Sequence, residues 1–352
     1  MEIVGLDIGG ANLKAVKLFV ASGKEFQVGY TVREYFPVWI AGKEGLVKGI
    51  EKIKEKLSPS KEYVVSTTMT AELSDVFRNK SEGVRFVVKA VEKIFDDAHS
   101  RFYVNVEGKL ISHMEAIKKP LNVAAANWAA SAWLISKKFD NSVFIDIGST
   151  STTIVPIVDG KVSVKGFTDP EKLVYGELVY LGALRTNICS IVSEVPYKGL
   201  FARVSSEKFA LSGDVCLVLS KISVEDYATE TADGRGRSLR ECLDRLSRVP
   251  CADNEILNDS EIVEIARYIY ETMVFKIFKA LIQVRTRILS LGYDLNGFKV
   301  CTAGLGSFLA KEAALRAGFK DIIDISSIYG RKISQVFPAY AAALMALERL
   351  GK

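Results

Sequence analysis

Residues 3–17 read IVGLDIGGANLKAVK and residues 143–156 read VFIDIGSTSTTIVP, and this internal echo constrains the fold more than any other feature of the chain. Setting Asp7 on Asp146 also sets Ile8 on Ile147 and Gly9 on Gly148. In each copy an apolar strand ends in Asp-Ile-Gly, a small-residue turn follows, and a second strand-like run comes next. That order predicts a β-hairpin with a glycine-containing turn. A chain of 352 residues is long for one core and comfortable for two. Two related halves, each opening on such a hairpin, are the expectation.

The hairpin reading separates these turns from better-known phosphate motifs. A Rossmann G-x-G-x-x-G or a Walker loop needs its glycine turn to open a helix, whose N-terminus then holds the phosphate. Here Leu13 to Val20 continues as β-compatible sequence, and no G-x-x-x-x-G-K-[ST] occurs.

Other segments arrange themselves around the two hairpins. Gly45 to Leu57 and Gly83 to Ala98 predict helices, and residues 63–68, YVVSTT, a buried strand. Asn122 to Ser136 and Pro338 to Leu350 are Ala-rich, suited to close helix packing. Ser260 to Leu291 reads as a long helix. Phe298 to Thr302 reads as a strand, followed by the turn Ala303-Gly304-Leu305-Gly306 and a helix over Phe308 to Ala317, capped by Gly318. The polar-punctuated segments YGELVYLGALRTNI (175–188) and TADGRGRS (231–238) have a different texture and suggest an insertion carrying substrate contacts.

Charge and composition exclude several classes. A net charge of +5, spread through alternating Lys and Glu, does not make a nucleic-acid groove. No apolar run approaches the ~18–20 residues of a membrane span, and no targeting or lipidation signal stands out. A cytoplasmic protein is expected, and nothing opposes a homo-oligomer. Cys189, Cys216, Cys242, Cys251 and Cys301 are scattered without a C-x-x-C pair, and only His99 and His113 are available for a zinc site or a histidine triad.

The ordered set resembles the actin/hexokinase/Hsp70 superfamily. The two hairpins look like its two phosphate motifs, Thr302 to Ser307 like its glycine-rich loop, and the two Ala-rich segments like its connector helices. The resemblance implies an α/β, two-domain, actin-like and ribonuclease H-like duplicated fold. The first domain would comprise residues 1–126 plus 338–352, and the second 127–337, with the insertion at about 175–255. Gly9, Gly10 and Gly148 would let backbone N–H groups approach phosphate oxygens. Asn12, Ser149, Thr150 and Ser151 would add side-chain donors, and Gly304 and Gly306 a third phosphate contact. Lys14 would place a compact positive charge on a phosphate. Asp7 and Asp146 suit a hydrated Mg²⁺ on a di- or triphosphate; alternatively each ties down its own turn. Ala303 and Leu305 interrupt the glycine run against which an adenosine would pack, leaving room for a diphosphate other than ATP.

The segments 175–188, EKFALSGDV and 231–238 resemble a narrower branch, labelled hydantoinase/oxoprolinase-like and linked to tetrahydromethanopterin-dependent one-carbon transfer, with archaeal methanofuran-biosynthesis members. This resemblance implies an alkyl transferase acting on small-molecule diphosphate and phenol substrates. The phenol oxygen of γ-glutamyltyramine would displace pyrophosphate from (5-(aminomethyl)furan-3-yl)methyl diphosphate. Glu177 and Asp233 are the candidate bases, with capping or ion pairing as the alternative. Tyr180 would line the substrate pocket, and Arg185 and Arg235 would meet carboxylates or the diphosphate. An ATP-dependent small-molecule kinase and a non-catalytic nucleotide switch are the competing expectations.

Overall fold

In the computed structural model, residues 1–21 and 25–351 are described. Residues 22–24, within the expected first domain, and Lys352, at its end, lie outside the described residues. The chain divides into two compact units: Met1–Ser142, Ile157–Glu171 and Ile325–Lys352 form one, and Val143–Pro156 with Lys172–Asp324 the other.

The first unit opens with β1 (Glu2–Ile8), β2 (Asn12–Val20) and β3 (Phe26–Tyr35), followed by α1 (Val38–Leu57) and β4 (Tyr63–Met69). Then come α2 (Lys80–Ile94), β5 (Ser100–Val104), β6 (Leu110–Ile111), α3 (His113–Lys118) and α4 (Asn127–Ser136). Its sheet runs β3-β2-β1-β4-β5-β6. β1 pairs antiparallel with β2 and parallel with β4, so that Asp7 stands opposite Lys14 on one side and Thr68 on the other. β4 is buried along its whole length, as expected of a strand covered on both faces.

β7 (Ser142–Ile147) and β8 (Thr152–Val158) form the second hairpin. β9 (Lys161–Val162), α5 (Asp169–Val174), β10 (Leu178–Val179), β11 (Glu194–Tyr197) and β12 (Leu200–Arg203) come next. They lead to α6 (Ser212–Val218), α7 (Leu239–Ser247) and the long α8 (Asp259–Ser290). β13 (Lys299–Ala303), α9 (Ser307–Arg316) and β14 (Asp321–Asp324) complete the second unit. The chain then returns to the first through α10 (Ser326–Tyr329), α11 (Arg331–Gln335) and α12 (Phe337–Leu350). The second sheet runs β10-β8-β7-β13-β14. Position for position, β7, β8, β13 and β14 repeat β1, β2, β4 and β5. The echo in the sequence is thus a duplicated sheet topology.

Local chemistry explains the elements that carry the turns. α8 starts on a reciprocal capping box in which Asn258 accepts from the Glu261 N–H and Glu261 bonds back to the Asn258 N–H. α12 is rich in alanine because it lies close against the first sheet: a Cβ on Gly5 of β1 would fall 2.0 Å from the Ala339 carbonyl oxygen. α4 also packs on α12. That packing places α4, residues 127–136, in the first compact unit, whereas the expected boundary ran at 126/127.

Two expected segments take a different form. Asn122 to Ser136 is broken: Pro120–Asn122 forms a 3₁₀ turn, Ala125 adopts φ 52°, and the helix begins only at Asn127. The segment expected to open an insertion at residue 175 contributes a strand to the main sheet, because Leu178 and Val179 pair with Thr153 and Thr152 of β8.

Candidate functional site

Both turns are closed by the same bond. The Gly9 N–H donates to the Asn12 carbonyl at 3.0 Å, and the Gly148 N–H to the Ser151 carbonyl at 3.0 Å. In both, the carbonyls are tied down from outside. Val38 and Phe36 N–H groups donate to the Gly10 and Ala11 oxygens, each at 2.9 Å. In the second turn the Ala183 N–H donates to the Gly148 oxygen at 2.9 Å, and the Leu184 and Arg185 N–H groups to the Ser149 oxygen at 3.1 and 2.9 Å. Among the described residues, the N–H groups of Gly10, Ala11, Ser149 and Thr150 donate to no protein acceptor. A turn whose carbonyls are engaged and whose N–H groups are not attracts anions.

The turns are also braced alike from the strand beside them. The Thr70 N–H, just past β4, donates to the Ile8 oxygen at 2.9 Å, and the Gly306 N–H, just past β13, donates to the Ile147 oxygen at 2.9 Å. The Ala303-Gly304-Leu305-Gly306 turn therefore sits on the end of β7. A Cβ on Gly304, whose φ is +81°, would lie 2.4 Å from Asp146 Oδ1, and one on Gly306 2.4 Å from Ile147 Cγ2. Close packing on β7 accounts for both glycines. Gly10 and Gly148 differ: a Cβ there would meet nothing nearer than 3.7 and 3.9 Å respectively. No neighbouring protein atom requires these two glycines to be bare.

Asp7 is buried, and its Oδ2 accepts from Lys14 Nζ at 3.1 Å across the β1–β2 pair. Its Oδ1 is enclosed without a hydrogen-bond partner. A buried carboxylate oxygen without a donor is costly unless a ligand completes it. Asn12 opens β2 and serves the turn through its carbonyl. Among the described residues no group of three or more His, Cys, Asp or Glu stands together as a metal cage. A Mg²⁺ carried on a diphosphate needs only one or two protein carboxylates, and the uncompleted Oδ1 of Asp7 has the chemistry such an ion takes.

The segment 181–186 is built onto the second turn. A Cβ on Gly182 would lie 2.4 Å from the Thr150 nitrogen, and Arg185 Nη1 donates to Thr150 Oγ1 at 3.0 Å. The structure thus sets Arg185 on the turn itself. Tyr180, just before it, is 60 % exposed.

The two expected bases have other engagements. Glu177 is fully buried and paired with Arg287 of α8. Asp233 binds Arg235 Nε at 2.7 Å and Arg245 Nη1 at 3.1 Å. Burial works to raise the Asp233 pKa, but hydrogen bonds from Arg235 and the Arg245 charge outweigh it and hold the carboxyl below the usual range. A carboxylate so stabilised is a weak base. Both carboxylates stand in ion pairs, the arrangement that was their alternative expectation, and Arg235, expected to meet a carboxylate or the diphosphate, is the partner of Asp233. The TADGRGRS loop is anchored by a network that the sequence did not single out. Arg245, fully buried on α7, binds the buried Asp214 of α6 at 2.8 Å, and Tyr227 donates to the same carboxylate at 3.3 Å. The signal was present in EKFALSGDV, where Asp214 is an acid inside an apolar run.

The profile of the hydantoinase/oxoprolinase family matches residues 63–349. The chain belongs to that family. It is 34 % identical over 351 residues to the (4-{4-[2-(γ-L-glutamylamino)ethyl]phenoxymethyl}furan-2-yl)methanamine synthase of Methanocaldococcus jannaschii, covering 99 % of both chains. It is also 34 % identical over 218 residues to the synthase of the same name from Methanococcus vannielii, covering 61 % of this chain and 95 % of that one. Among solved structures, nucleotide-free acetone carboxylase matches with a TM-score of 0.56 at 12 % identity, over 97 % of this chain and 70 % of that chain. That likeness speaks to the fold alone, the two-domain actin-like α/β fold that the superfamily resemblance implied. No helix among the described residues is long and apolar enough to cross a membrane.

Proposed function

We propose that this member of the family is a (4-{4-[2-(γ-L-glutamylamino)ethyl]phenoxymethyl}furan-2-yl)methanamine synthase. It joins the phenol of γ-glutamyltyramine to (5-(aminomethyl)furan-3-yl)methyl diphosphate and releases pyrophosphate. The observation that carries the reading is the full-length, 34 % identity to the Methanocaldococcus jannaschii synthase. The turn geometry supports it: unengaged N–H groups suit a phosphate-bearing leaving group, and the glycines of the 303–306 turn are accounted for by packing on β7 rather than by an adenosine.

The chemistry follows from where charge grows. The furylmethyl carbon spreads positive charge into its ring as the C–O bond to the diphosphate lengthens, and the electron pair leaves on the diphosphate oxygen. N–H groups of Gly10, Ala11, Ser149 and Thr150, with the hydroxyl of Thr150 held by Arg185, are donors for phosphate oxygens that gain charge in the transition state. Lys14 Nζ uses one of its three protons on Asp7 and keeps the others for the ligand. Were Mg²⁺ to accompany the diphosphate, Asp7 with its uncompleted Oδ1 is a carboxylate that would hold it, and the ion would supply further charge neutralisation. The two substrates are small molecules.

The test is a reaction mixture of protein, Mg²⁺, the furanmethyl diphosphate and γ-glutamyltyramine, with no ATP. The aryl ether and an equal amount of pyrophosphate are the expected products. An absolute requirement for ATP, with ADP formed in step with product, would overturn the reading in favour of a kinase.

A further inference from the structure

The residue that braces the first turn carries a hydroxyl with no task inside the protein. Thr70 follows β4, and its N–H donates to the Ile8 oxygen at 2.9 Å. It is also the N-cap of the 3₁₀ turn Ala71–Leu73, where a threonine oxygen ordinarily accepts an N–H of the turn it precedes. Asn187 and Asp294 do so for two other 3₁₀ turns, accepting from the Cys189 and Asn296 N–H groups. Thr70 makes no such bond. Its side chain is directed to the turn after β1 instead, with Oγ1 3.4 Å from where a Cβ on Gly9 would stand. The backbone of the same segment runs beside Gly10, because the nearest atoms to a Cβ there would be the Thr70 oxygen at 3.7 Å and Ala71 Cα at 4.0 Å. Thr70 is only half-buried, so the end of this segment stays accessible from solvent.

The surroundings lack partners as a ligand site does. β1 and β4 run parallel with Asp7 opposite Thr68, and positions in register point to the same face. Asp7 Oδ1 and Thr68 Oγ1 are both enclosed without a hydrogen-bond partner, two positions before Gly9 and Thr70. Buried polar atoms are seldom left so. The N–H groups of Gly10 and Ala11 are unengaged just beyond them. The second unit offers a comparison. There the brace is Gly306, which has no side chain, and the turn itself carries the hydroxyls of Ser149, Thr150 and Ser151. In the first unit the turn reads Gly10-Ala11-Asn12, without a hydroxyl, and the brace is a threonine. Each copy has its hydroxyl in only one of the two places.

We propose that Thr70 binds the diphosphate, its hydroxyl donating to a phosphate oxygen held at the first turn by the Gly10 and Ala11 N–H groups. The inference rests on the phosphate reading of that turn. A threonine hydroxyl has one proton to donate. One that neither caps its own turn nor pairs elsewhere among the described residues keeps that proton for a ligand. A charged phosphate oxygen is the acceptor for which such a bond is strongest. Thr70 thereby gives the first turn the kind of donor that Ser149 and Thr150 give the second.

The experiment titrates inorganic pyrophosphate, with Mg²⁺ present throughout, into wild type, Thr70→Val and Thr70→Ser, and reads affinity by calorimetry. Valine keeps the branched shape and the N–H that donates to Ile8, and serine keeps the hydroxyl. Thr70→Val should weaken pyrophosphate by about 10-fold or more, the scale of a hydrogen bond to a charged group. Thr70→Ser should bind nearly as wild type does. The melting temperature without ligand should be the same in all three, because the hydroxyl gives up no protein partner. A Thr70→Val protein that binds pyrophosphate as tightly as wild type overturns the proposal. Equal losses in both variants, or a loss that follows a lowered melting temperature, also overturn it and leave Thr70 a brace alone. A wild-type protein that does not bind pyrophosphate overturns the phosphate reading of the turn, and the role of Thr70 with it. One that binds pyrophosphate yet forms no aryl ether overturns only the alkyl-transfer reading, and the titrations still decide Thr70. Should Thr70→Val fail to fold, Thr70→Ala is read by the same criteria.

Discussion

The turns after β1 and β7 share a sequence pattern and a closing hydrogen bond, yet they are completed in different ways. The first is completed by a charge pair within its own hairpin, where Lys14 reaches across to Asp7. The second has no lysine at the matching place, and the chain there reads Thr153. Its positive charge arrives from outside the hairpin, on Arg185, carried by a segment that lies along the turn and spends three backbone N–H groups on its carbonyls. One copy therefore keeps its cation in the repeated motif and the other recruits it from family-specific sequence. Duplication preserved the backbone arrangement that presents N–H groups, while the side chains that set charge around it diverged.

The largest expected effect tests whether the two aspartates are equivalent. Asp7→Ala and Asp146→Ala should each lower turnover by roughly 100-fold or more, because charge developing on the leaving group loses its support. Steady-state kinetics on folded variants checks this, and near-wild-type turnover in both would remove the phosphate role from the pair. A loss confined to one would make the duplication functionally asymmetric.

A second set of variants separates glycines that the protein needs from glycines that the ligand needs. Gly304→Ala meets Asp146 at 2.4 Å in a left-handed conformation, and Gly182→Ala meets Thr150 at 2.4 Å. Each should cost about 1–3 kcal/mol of stability. Gly10→Ala and Gly148→Ala enter open space and should shift stability within about 1 kcal/mol while weakening pyrophosphate binding several-fold. Thermal denaturation with and without pyrophosphate reads both quantities. If Gly10→Ala and Gly148→Ala bind pyrophosphate as wild type does, the unengaged N–H groups are not the contact.

The smallest effect on stability concerns Arg185. Replacing it by Ala should weaken pyrophosphate about 10-fold, the scale of one charge-assisted hydrogen bond, with little change in stability. If calorimetry instead shows pyrophosphate unaffected and γ-glutamyltyramine weakened, Arg185 serves the acceptor and the second turn has no recruited cation.

Much of this was legible in the sequence, for reasons that are local. Asp-Ile-Gly followed by small residues and then a β-compatible run can be read as a hairpin because strand alternation and turn chemistry are properties of neighbouring residues. Its repetition announced the duplicated sheets. The Ala-rich run at 338–350 marked a closely packed helix, although the partner it needed, Gly5, lies at the other end of the chain. Glu177 and Asp233 show where such reading stops. An acid in a family-specific segment looks the same whether it faces a substrate or an arginine: Glu177 is met by Arg287 from a helix 110 residues away, and Asp233 by Arg235 beside it and Arg245 of the following helix. Glu72 shows the converse. In sequence it is one acid after a strand, but burial under α2 raises its pKa to about 7 against the hydrogen bonds from its own backbone and from Ala125 that lower it. The sequence by itself determined the two hairpins, their repetition and the glycine-containing turns between their strands, because those depend on contacts a few residues apart. Only the tertiary structure decided which carboxylates are neutralised by partners and which, as at Asp7 and Glu72, keep a buried oxygen without a hydrogen-bond partner, because burial and charge pairing depend on segments that meet only when the chain is folded.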